Sequence, residues 1–351
     1  MHGCALKIWW ASSIDNLMIS IKDLHTFHCD VFAEEVIMLQ SREELYLHIE
    51  SGLFSERQPL LLGGGSNVLI LENKIPLVVI NRISGREVIR EDEEITLIKL
   101  GSGENWHQFV AETLELGLNG IENLALIPGT CGAAPIQNIG AYGVELKDVL
   151  YEVEAVDKWT GKTILFDNAA CMFGYRNSVF KNQLKGRYFI LSVTLALRKD
   201  GLVNTHYGDI LHYINASGGN APVTPRQVFD AVVAIRKEKL PNPNKIGNAG
   251  SFFKNPIIEM ELFEQIKTKV PTIPGYRVDE SSIKVPAAFL LEYCGFKGKR
   301  LGETGCHARQ PLVLINWGNA TGAEIKQFSE QIQQMVSKTF GIELEPEINF
   351  V

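Results

Sequence analysis

The sequence predicts an α+β protein built from more than one domain, and three observations support this. Its 351 residues are enough for two or three domains of about 150 residues each. Hydrophobic residues make up 45% and charged residues 21%, close to the average for globular chains. Strand patterns between 150 and 197 are arranged as hairpins, which favours antiparallel sheet over repeated βαβ units.

The first third of the chain mixes short helices and strands. Ser41 to Glu44 reads as a capping box that opens a helix running towards Leu53. Apolar spacing predicts a second helix over 106–116, and Gly117 ends it. β-rich runs predict strands at 59–62, 76–80 and 95–100.

The middle and the end of the chain divide near residue 240. Three strands are predicted at 151–158, 162–166 and 188–197. Thr224, Pro225 and Gln227 open a helix that ends at the rigid segment Pro-Asn-Pro-Asn, 241–244. Beyond this boundary the sequence predicts a helix at 259–269, a loop at 271–282, a helix at 286–294, a strand at 311–316, a helix at 321–340 and a strand at 348–351.

Charge and cysteine usage exclude several classes of function. The 34 basic and 41 acidic side chains give a net charge of −7, which argues against a nucleic-acid partner. An anionic ligand must therefore be held by a few placed groups. The six cysteines form no CxxC pair, and Cys306-His307 lacks further ligands, so we expect no disulfide framework and no metal.

The amino terminus carries no strong targeting signal. No apolar stretch approaches the roughly 20 residues of a membrane helix, and the patch at 8–11 is too short for a signal peptide. We therefore expect a cytoplasmic protein without a membrane span. Met18 directly precedes a folded-looking segment, which suggests that residues 1–17 are a non-structural extension.

Familiar nucleotide and hydrolase motifs are missing. The Gly101-Ser102-Gly103 run has Trp106 where the third glycine of a dinucleotide fingerprint should stand. Gly161-Lys162-Thr163 lacks the earlier glycine of a P-loop, and no HExxH or GxSxG occurs. Ordinary kinase, NAD dehydrogenase, zincin and serine hydrolase functions are thereby disfavoured.

Two glycine-rich segments remain as candidate ligand loops. In LLGGGSNVLI (61–70), three glycines allow positive φ and lack Cβ atoms, so that backbone N–H groups can line a concave surface facing phosphate. In IENLALIPGTCGAAPIQNIGAYG (121–143), small residues would let main chain approach a large flat ligand. A glycine-rich tight turn is the alternative for the first, and close-packed sheet edges for the second.

Both segments resemble those of the UDP-N-acetylenolpyruvoylglucosamine reductase family. The likeness continues through FGYRNSVFK (173–181), HYGDI (206–210), IRKEKLPNP (235–243), GNAGSFFKNP (247–256) and EPEINFV (345–351), so that it spans about 24–351. It implies an FAD-binding fold of the vanillyl-alcohol-oxidase type. It further implies FAD-binding subdomains over 18–85 with 342–351 and over 86–240, and a substrate-binding domain over 241–341.

The resemblance also implies a reaction and its residues. The reaction is the reduction of an enolpyruvyl ether by NADPH through FAD, which makes UDP-N-acetylmuramate for peptidoglycan. Arg176 would polarise the substrate carboxylate, Glu347 would support the enolic intermediate, and Ser251 would donate the proton. The residues implied in FAD binding are Gly63, Gly64, Gly65, Ser66, Asn67, Val68, Gly129, Thr130, Gly132, Ala133, Asn138, Gly140, Ala141, Tyr142 and Gly143.

Further positions match the family more weakly. Tyr207, Lys239 and Asn255 would hold the sugar nucleotide, and Tyr276 matches a loop tyrosine of the longer of two subtypes. NADPH and the UDP-sugar substrate would use one pocket in turn, which predicts ping-pong kinetics. We expect no obligate protein partner.

The sequence departs from the family at several positions, and rival functions stay open. His25 replaces a common asparagine, and Ala133 and Ala134 replace two serines of some relatives. The alternatives to the reductase are an FAD oxidase of the same fold group and a flavin-less module that binds sugar nucleotides.

Overall fold

A computed structural model describes residues 18–206, 209–218 and 222–351. Tyr207 and the segment 1–17, about which the sequence makes predictions, lie outside these residues. Within them, no helix is both long enough and apolar enough to cross a membrane.

Helices and strands alternate irregularly along the chain, which confirms the α+β class. The helices are α1 Arg42–Glu50, α2 Leu53–Glu56, α3 Trp106–Glu115, α4 Ile210–Ala216, α5 Pro225–Lys239, α6 Met260–Lys269, α7 Ala287–Tyr293 and α8 Gly322–Phe340. The strands are β1 Ile19–Ser20, β2 Phe32–Leu39, β3 Leu60–Leu62, β4 Val68–Leu69, β5 Lys74–Asn81, β6 Arg86–Glu91, β7 Ile95–Gly101, β8 Gly140–Ala141, β9 Val144–Glu145, β10 Leu150–Asp157, β11 Thr163–Asp167, β12 Tyr188–Arg198, β13 Gly247–Ser251, β14 Ile257–Glu259, β15 Tyr276–Arg277, β16 Ser282–Lys284, β17 Arg300–Leu301, β18 Thr304–Cys306, β19 Val313–Asn316 and β20 Asn349–Phe350.

Three larger sheets organise these elements. The first has the order β1-β2-β5-β3, and β2, β5 and β3 run parallel. The second, β11-β10-β12-β7-β6, is antiparallel throughout, as the hairpin pattern predicts. The third, β13-β19-β18-β17, belongs to the last third of the chain. The final strand β20 pairs in parallel with β4 directly after the first glycine-rich loop, so the chain end returns to that loop.

The apolar cores join elements that are distant in sequence. One core combines residues of the first sheet, between 21 and 80, with residues between 249 and 348. A second core lies between the five-stranded sheet and helices α3, α4 and α5. The cores do not test the predicted domain boundaries, which stay a prediction.

Local signals fix most helix ends within one or two residues. Thr224 caps α5 and Thr321 caps α8, each in a reciprocal capping box. The predicted extension of α1 towards Leu53 is wrong, because α1 ends at Glu50 and Gly52 follows with a φ of 78°. The loop predicted at 271–282 is also not structureless: β15 lies within it and pairs with β16.

Candidate active site

A cavity of about 940 Å³ lies where the two glycine-rich segments and the chain end meet. This volume is at the upper end of the range for small-molecule sites, so the cavity is large enough for a sizeable ligand. Most of the site residues predicted from sequence line it: Gly63, Gly64, Gly65, Ser66, Asn67, Val68, Thr130, Gly132, Ala133, Gly140, Ala141, Tyr142, Gly143, Arg176, Lys239, Ser251, Asn255 and Glu347.

Three of the predicted residues lie elsewhere in the described structure. Gly129 lies behind the cavity wall against Gly64. Asn138 is buried in that wall and donates its amide to Gly174 O at 3.1 Å, so it supports the loop. Tyr276 does not line the cavity, and its side chain is 61% exposed.

The first glycine-rich loop offers a row of unused donors to the cavity. The N–H groups of Gly64, Gly65, Ser66 and Asn67 donate to no acceptor among the described residues. Successive free N–H groups of this kind form a concave anion-binding nest. The loop therefore fits a phosphate or pyrophosphate group, as its sequence predicts.

The predicted positive φ is found at Gly65, at 60°, and Gly64 has a second reason to be a glycine. A Cβ on Gly64 would lie 2.7 Å from Gly129 Cα, which is backbone of the second glycine-rich segment. The missing side chain thus allows the two segments to approach each other closely, rather than allowing a ligand to approach. Ser66 Oγ fastens the same contact by donating to Pro128 O at 3.0 Å.

Arg176 and Glu347, which both line the cavity, form a direct ion pair. Arg176 Nε lies 2.7 Å from Glu347 Oε1, and the two side chains are 19% and 14% exposed. Arg176 Nη2 also donates to Gly140 O at 2.6 Å. A Cβ on Gly140 would lie 2.9 Å from Arg176 Nη1, so a side chain at this position would displace the guanidinium.

Two residues with an unusual backbone conformation line this cavity. Six non-glycine residues of the described chain have φ between 47° and 58°, and Tyr142 and Arg176 are the two of them that line the cavity. Residues other than glycine rarely adopt this left-handed backbone conformation, and those that do cluster at functional sites. The arginine predicted as catalytic is therefore held in a conformation that its surroundings must enforce.

Ser251 reaches the same cavity from the opposite side. It ends β13, follows Gly250 at a φ of 72°, and precedes the fully buried Phe252 and Phe253. The two phenylalanines belong to the apolar core and anchor the end of β13, while Ser251 itself lines the cavity. A weak acid held at short range in such a cavity can donate a proton to a developing carbanion.

Two of the predicted substrate residues are already engaged. Lys239 Nζ pairs with Asp209 Oδ2 at 2.7 Å, so its charge is shared with the HYGDI segment. This ammonium holds the pKa of Asp209 below its usual range. Asn255 Oδ1 accepts from Ala287 N at 2.9 Å and so holds the start of α7, which leaves its amide N–H₂ as the group available for a ligand.

Several residues that line the cavity are not predicted from the sequence. Arg236, Lys181 and Lys284 line the cavity, as does Ser102 from the glycine run rejected as a nucleotide fingerprint. Burial lowers the pKa of Lys181 to about 8 and lowers the pKa of Lys284 and Arg236. Among the residues described, Arg236 Nε and Ser102 Oγ are buried without a hydrogen-bond partner.

These cations give the cavity its electrostatic character. Although the chain carries a net charge of −7, basic residues outnumber the acidic Glu145, Asp148 and Glu347 in the cavity lining. The seven basic residues are Lys147, Arg176, Lys181, Lys185, Arg236, Lys239 and Lys284. Burying cations without matching carboxylates is costly, and an anionic ligand would offset that cost. Within the described residues, no group of three or more histidine, cysteine or acidic side chains could hold a metal ion.

Comparisons with known proteins identify relatives over most of the chain. The model of the UDP-N-acetylenolpyruvoylglucosamine reductase C-terminal domain matches residues 242–351, and that of an FAD binding domain matches 36–167. A UDP-N-acetylenolpyruvoylglucosamine reductase of Flavobacterium johnsoniae is 44% identical over 95% of this chain and 98% of its own. That of Burkholderia ambifaria is 49% identical over 82% and 83%. The crystal structure of the Thermus caldophilus reductase has a TM-score of 0.64 and 23% identity, covering 95% of this chain and 97% of its own.

Proposed function

Because this chain belongs to the UDP-N-acetylenolpyruvoylglucosamine reductase family, we propose that its cavity carries out the FAD-dependent reduction of the enolpyruvyl ether of UDP-N-acetylglucosamine. The product, UDP-N-acetylmuramate, is a peptidoglycan precursor. The fold is of the FAD-binding, vanillyl-alcohol-oxidase type, as the resemblance implies. The observation that carries the proposal is the ion pair of Arg176 with Glu347 in the same cavity as Ser251.

The cavity fits FAD by the chemistry of its donors. The unused N–H groups of residues 64–67 suit the pyrophosphate, and the orphaned hydroxyl of Ser102 supplies a further polar group next to Gly132. Ala133 and Ala134 have no hydroxyls, so contacts at this point must come from the backbone. When bound, FAD would supply the hydride that it receives from NADPH.

Arg176 would bind the carboxylate of the substrate. Negative charge spreads onto this carboxylate when hydride adds to the neighbouring methylene carbon, and a guanidinium fork stabilises it with two parallel hydrogen bonds. Gly140 O and Glu347 already fix the fork, so little reorganisation is needed during the reaction. Because Glu347 is paired with Arg176, its negative charge is partly neutralised, which weakens its repulsion of the substrate carboxylate.

Ser251 would deliver the proton to the carbon that bears the carboxylate. Ser251 lines the same cavity as Arg176, so its hydroxyl is available to donate a proton to a substrate held there. Lys239 and the amide of Asn255 would hold the diphosphate and sugar. Tyr207 and Tyr276 stay proposed substrate residues on the family's pattern.

NADPH would enter the same cavity before the substrate does. One cavity that serves the two ligands in turn implies ping-pong kinetics with inhibition by excess substrate. Both ligands are soluble nucleotides. We therefore also propose that the protein is cytoplasmic and needs no obligate protein partner.

The test is an anaerobic experiment on the purified, FAD-loaded protein. NADPH should bleach the flavin absorbance, and addition of the enolpyruvyl sugar nucleotide should restore it with one equivalent of product. A reduced protein that reoxidises rapidly in air but not with this substrate would instead indicate an oxidase. A colourless protein that cannot be reconstituted with FAD would indicate a binding module.

A further inference from the structure

Glu347 reaches the cavity on a short carboxyl-terminal segment, 345–351. The end of this segment pairs with β4, and Glu347 itself is held from two sides. On one side its own N–H donates to Phe252 O at 2.8 Å, and Lys254 N donates to Glu345 O at 2.9 Å. On the other side Lys181 Nζ donates to Glu347 O at 2.8 Å. Asn67 Nδ2 adds a longer contact to the same oxygen, at 3.4 Å.

Lys181 belongs to the segment that also carries Arg176. Its bond to Glu347 O therefore runs parallel to the Arg176–Glu347 ion pair and fixes the same two segments at a second point. Lys181 forms no ion pair in the part of the chain that the structure describes, so its hydrogen-bond acceptor is a neutral carbonyl. We propose that Lys181 is a positioning residue that holds Glu347 and Arg176 in register for the reduction of the substrate.

The surroundings of Lys181 show that simple packing does not explain it. The cations Lys254 and Arg176 and the carboxylates Glu347 and Glu345 surround it, and its side chain is largely buried. Burial, the largest cause, together with Lys254 lowers its pKa to about 8. An uncharged side chain of similar length would avoid this desolvation cost. The ammonium is retained for its bond to Glu347 O and for its positive charge beside the cavity.

This inference rests on the proposed reduction, but its first test does not depend on catalysis. In Lys181→Met, amide hydrogen exchange within 345–351 should be about 10-fold faster or more at Glu347, because the side-chain bond to its carbonyl is lost. The amides of Asn349 and Val351 donate to Asn67 O and Leu69 O, so their exchange should change less. The matched control is Lys254→Met. Lys254 is also buried and pairs with Glu345 of the same segment, but its side chain does not bind Glu347 O. Its backbone bond to Glu345 remains, so exchange in Lys254→Met should stay near the wild-type value.

The second test is the pH profile of substrate reduction by the NADPH-reduced, FAD-loaded enzyme. In the wild type the rate should fall above about pH 8 as Lys181 loses its proton. In Lys181→Met the rate at about pH 7 should be roughly 10- to 100-fold lower, without this alkaline fall. Reduction of the flavin by NADPH should stay within about 2-fold of wild type, because Glu347 acts on the other substrate.

A third variant keeps the test decisive if Lys181→Met does not fold. Lys181→Arg keeps the charge but does not titrate in this range, so it should retain part of the rate and lose the alkaline fall. Wild-type exchange in 345–351 together with a wild-type pH profile in either variant would overturn the proposal. If instead the reduced wild-type enzyme is not reoxidised by the enolpyruvyl sugar nucleotide, the proposed reaction is wrong. The hydrogen-exchange measurement still tests whether Lys181 holds the segment 345–351 in place.

Discussion

Arg176 Nε lies 2.7 Å from Glu347 Oε1, so a residue of the middle of the chain and one from its last strand region form a single charged unit. The arginine also donates to Gly140 O, within the second glycine-rich segment. Three separate stretches of sequence thus meet at one guanidinium. A carboxylate that binds here would meet the guanidinium of Arg176 already oriented, and the charge of Glu347 already neutralised by its ion pair.

The first prediction concerns the fork geometry of this guanidinium. Arg176→Lys keeps the charge but cannot reach Gly140 O, Glu347 and a substrate carboxylate at once. We expect the rate of flavin reoxidation by substrate to fall about 100-fold and flavin reduction by NADPH to change little. Stopped-flow traces of the two half-reactions measure both rates.

The pair of Arg187 with the buried Asp157 offers a control for that substitution. Arg187→Lys removes a guanidinium that forms a 2.7 Å pair and does not itself line the cavity. Both half-reactions should keep their wild-type rates in this variant. Equal behaviour of Arg176→Lys and Arg187→Lys would remove Arg176 from carboxylate recognition.

The second prediction concerns the proton donor. Ser251→Ala should still bind FAD and be reduced by NADPH, whereas reoxidation by substrate should slow by about 10²- to 10⁴-fold. Ser251→Cys should recover part of this loss, because a thiol can also donate a proton. A Ser251→Ala protein with normal turnover would show that another group supplies the proton.

Sequence patterns predicted those parts of the fold whose signals are local. Helices α3, α5 and α8 carry their own caps and stop signals, and their bounds agree with the prediction within two residues. Strand β2 was missed, because Glu34 and Glu35 interrupt its apolar pattern. Its parallel pairing with β5 supplies the stability that its own sequence does not indicate.

Membership of a recognisable motif did not by itself identify the site residues. Lys181 and Arg236 lie within FGYRNSVFK and IRKEKLPNP. They and Lys284 were missed because a basic side chain usually points to solvent. Their burial depends on packing between segments that are far apart in sequence. The predicted reason for the glycines of the first glycine-rich loop was incomplete. Neither glycine-rich segment shows by its own sequence that the two segments contact each other.

The third prediction uses that contact. Gly64→Ala would place a Cβ 2.7 Å from Gly129 Cα and push the two glycine-rich segments apart. We expect a loss of about 1–3 kcal/mol in the free energy of unfolding and a protein that purifies with little FAD. Flavin absorbance per protein and thermal denaturation measure these effects.

Gly174→Ala is the control for this change. A Cβ there meets its nearest atom, Asn177 Cβ, at an ordinary 3.5 Å, and the backbone is not in the left-handed region. This variant should keep its flavin. Normal FAD content in Gly64→Ala would mean that the close approach of the two segments is not needed for binding.

His25, which replaces the family's usual asparagine, is a buried base. The side chain is 1% exposed, and Nε2 lies 3.2 Å from Cys29 O. Nδ1 is buried without a partner, so a second proton there would have no acceptor among the described residues. Burial lowers the pKa of His25 to about 4, and the nearby His28 acts in the same direction.

The fourth prediction is a loss of stability in acid that depends on this histidine. Because the folded pKa lies below the unfolded value of 6.5, the contribution of neutral His25 is fully present above about pH 6.5. It declines as the pH falls towards about 4, with a loss of about 2 kcal/mol between pH 7 and pH 5. Denaturant unfolding of wild type and His25→Asn at both pH values measures it. The difference between the two proteins should shift in favour of the asparagine variant at pH 5, and an unchanged difference would show that His25 is already protonated or accessible in the folded protein.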